Sequence, residues 1–166
     1  MKRLHLLRHA KSSWDEPKLA DRERPLAPRG RKASKVIAGH LRDEGIAPDL
    51  VLCSPSKRTR QTLQRLELDA AVVRFEDELY AASAGELLAV LNGIGDDVGS
   101  AMLIGHNPGI QDLALQLAGS GSDASAMRAK FPTAALATLA FSGSWRELAP
   151  GGASLVAFVK PKQLAG

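Results

Sequence analysis

The stretch Leu4-His5-Leu6-Leu7-Arg8-His9-Ala10-Lys11-Ser12 limits the possible folds more than any other. Its near-continuous apolar run from about Arg3 to Arg8 is that of a buried parallel strand, and it ends abruptly in an arginine, a histidine and a lysine. In α/β proteins chemistry collects at the carboxyl ends of strands. A guanidinium beside a neutral imidazole suits attack on phosphorus, because the arginine holds anionic oxygens and the histidine supplies the electron pair. His5, within the strand, reads as structural.

The 166 residues, 45% of them hydrophobic, fit one domain, 1–166, with one substantial core. No run approaches a membrane span and no secretory leader is evident, so the expectation is a cytoplasmic protein without membrane association. The lone cysteine, Cys53, lies in an apolar run and reads as core. Residues 1–65 carry 16 Lys and Arg against 7 Asp and Glu, whereas 66–166 carry 6 against 11. Such a basic half attracts phosphate in some form, but with 4% aromatics and no basic helix a nucleic-acid partner is not expected.

After the first strand, residues 10–28 form a long polar loop for which Trp14 and Leu26 are the expected anchors. A helix starts near Pro28 and ends at Gly45, with Ala33, Val36, Ile37 and Leu41 at helical spacing. Asp49 to Cys53 is a second strand. Ser54-Pro55 then reads as an N-cap and first helical residue, placing Lys57, Arg58 and Arg60 in a first turn where positive charge opposes the helix dipole. A bound anion would remove that conflict.

Val72 to Phe75 is a third strand, followed by the acidic triplet Glu76-Asp77-Glu78. Ser83 and Glu86 form a capping box for a helix burying Leu87, Leu88, Val90, Leu91 and Ile94. Ala101 to Ile104 is a fourth strand, running into Gly105-His106-Asn107-Pro108-Gly109 and a further helix with Ile110, Leu113, Ala114 and Leu117 inward. Beyond Gly119 to Ser122 the pattern changes to strands alone: Ala134 to Phe141, Trp145 to Leu148 and Ser154 to Val159, with Gly151-Gly152 in a turn. The fold class is α/β, a three-layer sandwich with a mainly parallel central sheet and an antiparallel edge.

Parallel strands bring their carboxyl ends to one edge, so Arg8, His9, Arg58 and His106 can converge although they span about a hundred positions. Two arginines would hold phosphoryl oxygens, one histidine would attack in line, and the other would donate to an equatorial oxygen. Neighbouring cations should depress both histidine pKa values and keep His9 unprotonated. Metal chemistry is not expected: His-Glu-x-x-His and paired cysteines are absent, and the arginines would repel a cation.

Leu-Leu-Arg-His-Ala-Lys-Ser, Ser-Pro-Ser-Lys-Arg-Thr-Arg-Gln-Thr and Ile-Gly-His-Asn-Pro-Gly together resemble the histidine phosphatase, or phosphoglycerate-mutase-like, superfamily. The Arg-His-Ala-Lys-Ser form is similar to its SixA-type phosphohistidine phosphatase branch, since Ala10 replaces the glycine usual elsewhere in the superfamily. The resemblance implies a cofactor-independent enzyme in which His9 is phosphorylated during turnover, Arg8 and Arg58 hold the phosphate, and His106 completes the pocket. Arg60 is a rival to Arg58. Asn107 either positions its neighbour as part of the phosphate site or serves as a turn residue. A general acid would follow the third strand, at Glu78 or Asp77, with Asp21 and Glu23 as competitors. The expected substrate is phosphohistidine on a protein, such as a histidine phosphotransfer domain. The alternatives are a small phosphorylated metabolite as substrate, or a phosphohistidine-binding module without turnover.

Overall fold

The computed structural model describes residues 1–70 and 72–164. The elements run β1 (Lys2–Arg8), α1 (Pro28–Asp43), β2 (Leu50–Cys53), α2 (Lys57–Leu66), β3 (Val72–Phe75), α3 (Ala84–Asn92), β4 (Ser100–Gly105), α4 (Gly109–Leu117), α5 (Ser125–Ala129), β5 (Leu136–Phe141), β6 (Ser154–Val159) and α6 (Pro161–Leu164). One six-stranded sheet has the order β3-β2-β4-β1-β5-β6. The first four are mutually parallel, and β5 pairs antiparallel with both β1 and β6, which makes the expected antiparallel edge. Among the described residues no helix is long and apolar enough to cross a membrane.

The period-2 alternation of the central strands divides the core into two layers. Leu4 and Leu6 of β1, Leu50 and Leu52 of β2, and Ala101 and Leu103 of β4 face a cluster completed by α3 and α4. Leu7, Val51, Cys53, Met102 and Ile104 face the opposite cluster with Ile37 and Leu41 of α1. Burial on both faces is why these strands read as continuous apolar runs. His5 is a buried structural residue on the second face, its Nδ1 2.9 Å from the Thr138 hydroxyl. Cys53 is buried as expected, which pushes its thiol pKa up to about 12.

Three expectations are corrected. Trp145 to Leu148 is not a strand: Trp145–Glu147 is a 3-10 turn whose buried indole donates to the Val98 carbonyl at 2.7 Å and packs edge-on against Phe141. A large ring sealing the end of the core outweighed local β pattern. Trp14 does not anchor its loop by burial, being 67% exposed with the Arg24 guanidinium stacked on its ring, whereas Leu26 is buried. The loop is instead pinned by Arg24, which is buried and bonds the Ser13 carbonyl and the Ser12 hydroxyl.

The third correction concerns α2, whose N-cap is Ser56, accepting from the Thr59 N–H, rather than Ser54. Ser54 is spent on another partner, described below. The Ser83–Glu86 capping box on α3 forms as the spacing predicts.

Candidate active site

The register fixes where chemistry can gather. Arg8 stands opposite Gly105, and Cys53 opposite Ile104, so β1, β2 and β4 end level with one another at their carboxyl ends. The next residues in chain order are His9, Ser54 and His106. His9 and His106 meet Arg58, from the first turn of α2, in a cleft of about 240 Å³ lined by Arg8, His9, Asp21, Arg58, Tyr80, Ala81, His106 and Asn107.

His9 is buried, and its Nδ1 lies 2.7 Å from the carbonyl oxygen of Ala10. A carbonyl only accepts, so Nδ1 carries the proton and Nε2 keeps its lone pair. Arg58 Nε donates to that Nε2 across 3.4 Å. Burial lowers the His9 pKa to about 3; the bond to Ala10 works the other way, and the charges of His106, Arg58 and Arg8 add to the fall. His9 is therefore a neutral imidazole with one defined tautomer. Ala10 keeps an ordinary backbone, since the residues with positive φ other than glycine are Glu67, Ala81 and Ala134. Its N–H donates to the Thr62 hydroxyl of α2 at 3.0 Å, tying the loop after β1 to the helix that carries Arg58. Gly30 allows the same loop to lie against α1, because a Cβ there would stand 2.1 Å from the Lys11 carbonyl oxygen.

His106 sits 5.1 Å from His9, ring centre to ring centre. Its Nε2 is 2.8 Å from the Ser54 hydroxyl and its Nδ1 is 3.4 Å from Arg58 Nη2. Burial, followed by the charge of Arg58, lowers its pKa to about 4, with Asp21 opposing the shift. Tyr80 stands edge-on to the His106 ring at 5.3 Å.

The guanidiniums are held from behind. Arg8 Nη1 donates to the Phe131 carbonyl at 3.0 Å, while its buried Nε has no hydrogen-bond partner among the described residues. Arg58 Nη1 donates to the Asp21 carbonyl at 2.7 Å and Nη2 to the Asp21 carboxylate at 2.9 Å. Arg60 points elsewhere: it is exposed and bonds the Pro55 carbonyl, so of the two rivals only Arg58 reaches the cleft.

Among the acids, the carboxylate brought to the cleft is Asp21. It accepts from Arg58, Arg24 and the Tyr80 hydroxyl. The bond from Tyr80, then those from Arg58 and Arg24, outweigh burial and lower its pKa to about 2, so it is an anion. Glu78 and Asp77 are exposed on a 3-10 turn and Glu23 is exposed on another, and none of the three lines the cleft. Asn107 does line it, but its side chain is engaged with the Phe131 carbonyl and the Gln111 N–H, the pattern of a turn residue.

Two residues of the site escape the motif reading, Tyr80 in the cleft lining and Ser54 bonded to His106. Tyr80 follows β3, the fourth parallel strand end, and extending the strand-end argument to that strand would have found it. Ser54 has the composition of an N-cap, and only the arrival of His106 beside it shows the hydroxyl's other use.

Similarity to known proteins agrees with this geometry. The model of the histidine phosphatase superfamily (branch 1) matches residues 4–88. An uncharacterised protein of Mycobacterium tuberculosis is 41% identical over 160 residues, covering 94% of this chain and 100% of that one. A protein of Nakamurella multipartitia, named as a candidate phosphohistidine phosphatase SixA, superposes with a TM-score of 0.87 at 32% identity over 96% of each chain. One of the same designation from Agrobacterium tumefaciens gives 0.81 at 31%, covering 96% of this chain and 98% of its own. A family model over half of the chain and a relative 41% identical along its whole length place the chain in one family: it belongs to the histidine phosphatase superfamily.

Proposed function

We propose that this protein hydrolyses phosphohistidine on other proteins, passing the phosphoryl group through His9. The observation that carries the reading is the fixed tautomer of His9, with its Nε2 lone pair turned to the guanidinium of Arg58. In the first step that lone pair forms a bond to phosphorus, the bond from phosphorus to the substrate imidazole breaks, and its electron pair stays on the substrate nitrogen. In the second, water bonds to phosphorus, the bond to His9 Nε2 breaks, and inorganic phosphate leaves. Arg8 and Arg58 hold the phosphoryl oxygens in both steps, and His106 meets the charge that grows on an equatorial oxygen.

The protonation states support a nitrogen leaving group. An alkoxide needs a proton as it departs, and the one carboxyl group lining the cleft is the anion of Asp21. A phosphorylated imidazole takes its proton from water on its other nitrogen and departs neutral, so it needs no acid from the protein. The size of the cleft, about 240 Å³, suits a phosphoryl group and one ring with the rest of the substrate outside. SixA designations among the similar structures point to the same substrate.

The test is phosphate release from a phosphohistidine-bearing protein and from an aryl phosphate, in excess chelator, by wild type and His9→Ala. The reading expects fast release from the phosphohistidine protein, slow release from the ester and none from the variant. Faster release from the ester would assign the site to small phosphomonoesters. Binding of the phosphoprotein without release would make the protein a recognition module, and loss of activity in chelator would bring in a metal.

A further inference from the structure

Beside the cleft runs a larger groove of about 800 Å³, walled by Lys11, Arg29, Lys130, Lys160 and Lys162, with no carboxylate in its lining. The five cations come from separate parts of the chain: the loop after β1, the first turn of α1, the end of α5, the end of β6, and α6. None of them takes part in the four ion pairs found among the described residues. Collecting like charges without counter-ions costs stability. A partner bearing negative charge would offset it.

The groove is joined to the chemistry at two points. Lys11 follows Ala10, whose carbonyl fixes the His9 tautomer. Lys130 precedes Phe131, whose carbonyl holds both Arg8 and Asn107. Two of the five cations are thus direct chain neighbours of residues that hold the cleft.

We propose that this groove is the docking surface for an acidic face or segment of the phosphohistidine-bearing protein, an inference that rests on the function proposed above. Four of the five cations are lysines, point charges on flexible stems, which suit a broad acidic surface better than the fixed fork needed for one small anion. All but Lys160 are exposed. The groove thereby supplies selection among phosphohistidine proteins, which a cleft sized for one ring cannot.

Two synthetic peptides with the same central phosphohistidine test this, one flanked by glutamates and one by glutamines, at low salt. Wild type should favour the acidic peptide in kcat/KM by about tenfold or more. The triple variant Lys130→Glu, Lys160→Glu, Lys162→Glu should bring the ratio to about one or below, as should about 0.5 M salt with wild type. Turnover of the glutamine peptide should be unchanged in the variant, which also reports an intact fold. Equal turnover of both peptides by wild type overturns the groove and leaves the phosphatase reading standing. So does a variant that keeps the wild-type ratio, or one that loses both peptides equally. If wild type turns over neither peptide, the function falls and the groove with it.

Discussion

Arg58 donates from Nε to Nε2 of His9 across 3.4 Å, so the guanidinium already lies against the one lone pair that His9 keeps free. The same side chain reaches His106 Nδ1 through Nη2 and is clamped by Asp21. In the proposed mechanism a phosphoryl group entering the cleft meets nucleophile and clamp as one unit.

That unit separates two neighbouring arginines. Arg58→Lys keeps the charge but loses the fork, and should lower kcat/KM by about a hundredfold. Arg60→Ala, which removes an exposed side chain bonded to the Pro55 carbonyl, should stay within about twofold of wild type. Steady-state kinetics on a phosphohistidine protein compare them.

Asp21 offers a test of the leaving group. As an anion facing the phosphate site it repels substrate and product and supplies no proton, so Asp21→Asn should keep phosphohistidine turnover within a few-fold and tighten inhibition by inorganic phosphate. Glu78→Gln should change neither. A drop of about a hundredfold in kcat for Asp21→Asn confined to an aryl ester would identify an acid, whereas an equal drop on both substrates would report loss of the Arg58 clamp.

Ser54, bonded to His106 Nε2 at 2.8 Å, is expected to act as a positioning residue through that ring. Its hydroxyl can donate to or accept from Nε2, so it accommodates whichever nitrogen of His106 carries the proton. Ser54→Ala should lower kcat by about tenfold with little change in KM, and Ser54→Thr should restore most of it. A purely structural role would lower the melting temperature of Ser54→Ala and leave kcat intact.

How much of this was legible in the sequence follows the range of each interaction. β1, β2 and β4 were readable because burial on both faces leaves apolar runs, the exposed edge strand β3 by its β-branched and aromatic residues, and Arg8, His9 and His106 because they follow the buried runs. Arg58 could be separated from Arg60 only by helix phase, and the helix starts at Lys57 because Ser56 is the cap. The carboxylate of the cleft was legible only as one of four candidates. Asp21 reaches the cleft across a long loop through bonds to Arg58 and Tyr80, at sequence separations of 37 and 59, and no local pattern encodes them.

Three buried histidines contribute to the acid side of the stability profile, together with the lowered carboxyl of Asp21. Burial, as the largest cause in each, lowers the pKa of His5 to about 4, of His9 to about 3 and of His106 to about 4. An unfolded chain takes up these protons near pH 6.5 and the folded chain does not, so the unfolded state binds more protons below that pH. Stability is therefore full above about pH 6.5 and lost as pH falls toward 3. Thermal melts should lose at least about 5 °C between pH 7.5 and pH 5, and His5→Gln should reduce the loss. A midpoint that holds or rises on acidification would mean these rings are already charged in the folded protein.

The central claim is that the phosphoryl group passes through His9. Rapid quenching into base after mixing with a radiolabelled phosphohistidine protein, followed by peptide mapping by mass spectrometry, tests it directly. The account predicts a base-stable, acid-labile label on His9 that forms and decays within a turnover and is absent from His9→Ala. Label on another residue, or full turnover by His9→Ala, would contradict it.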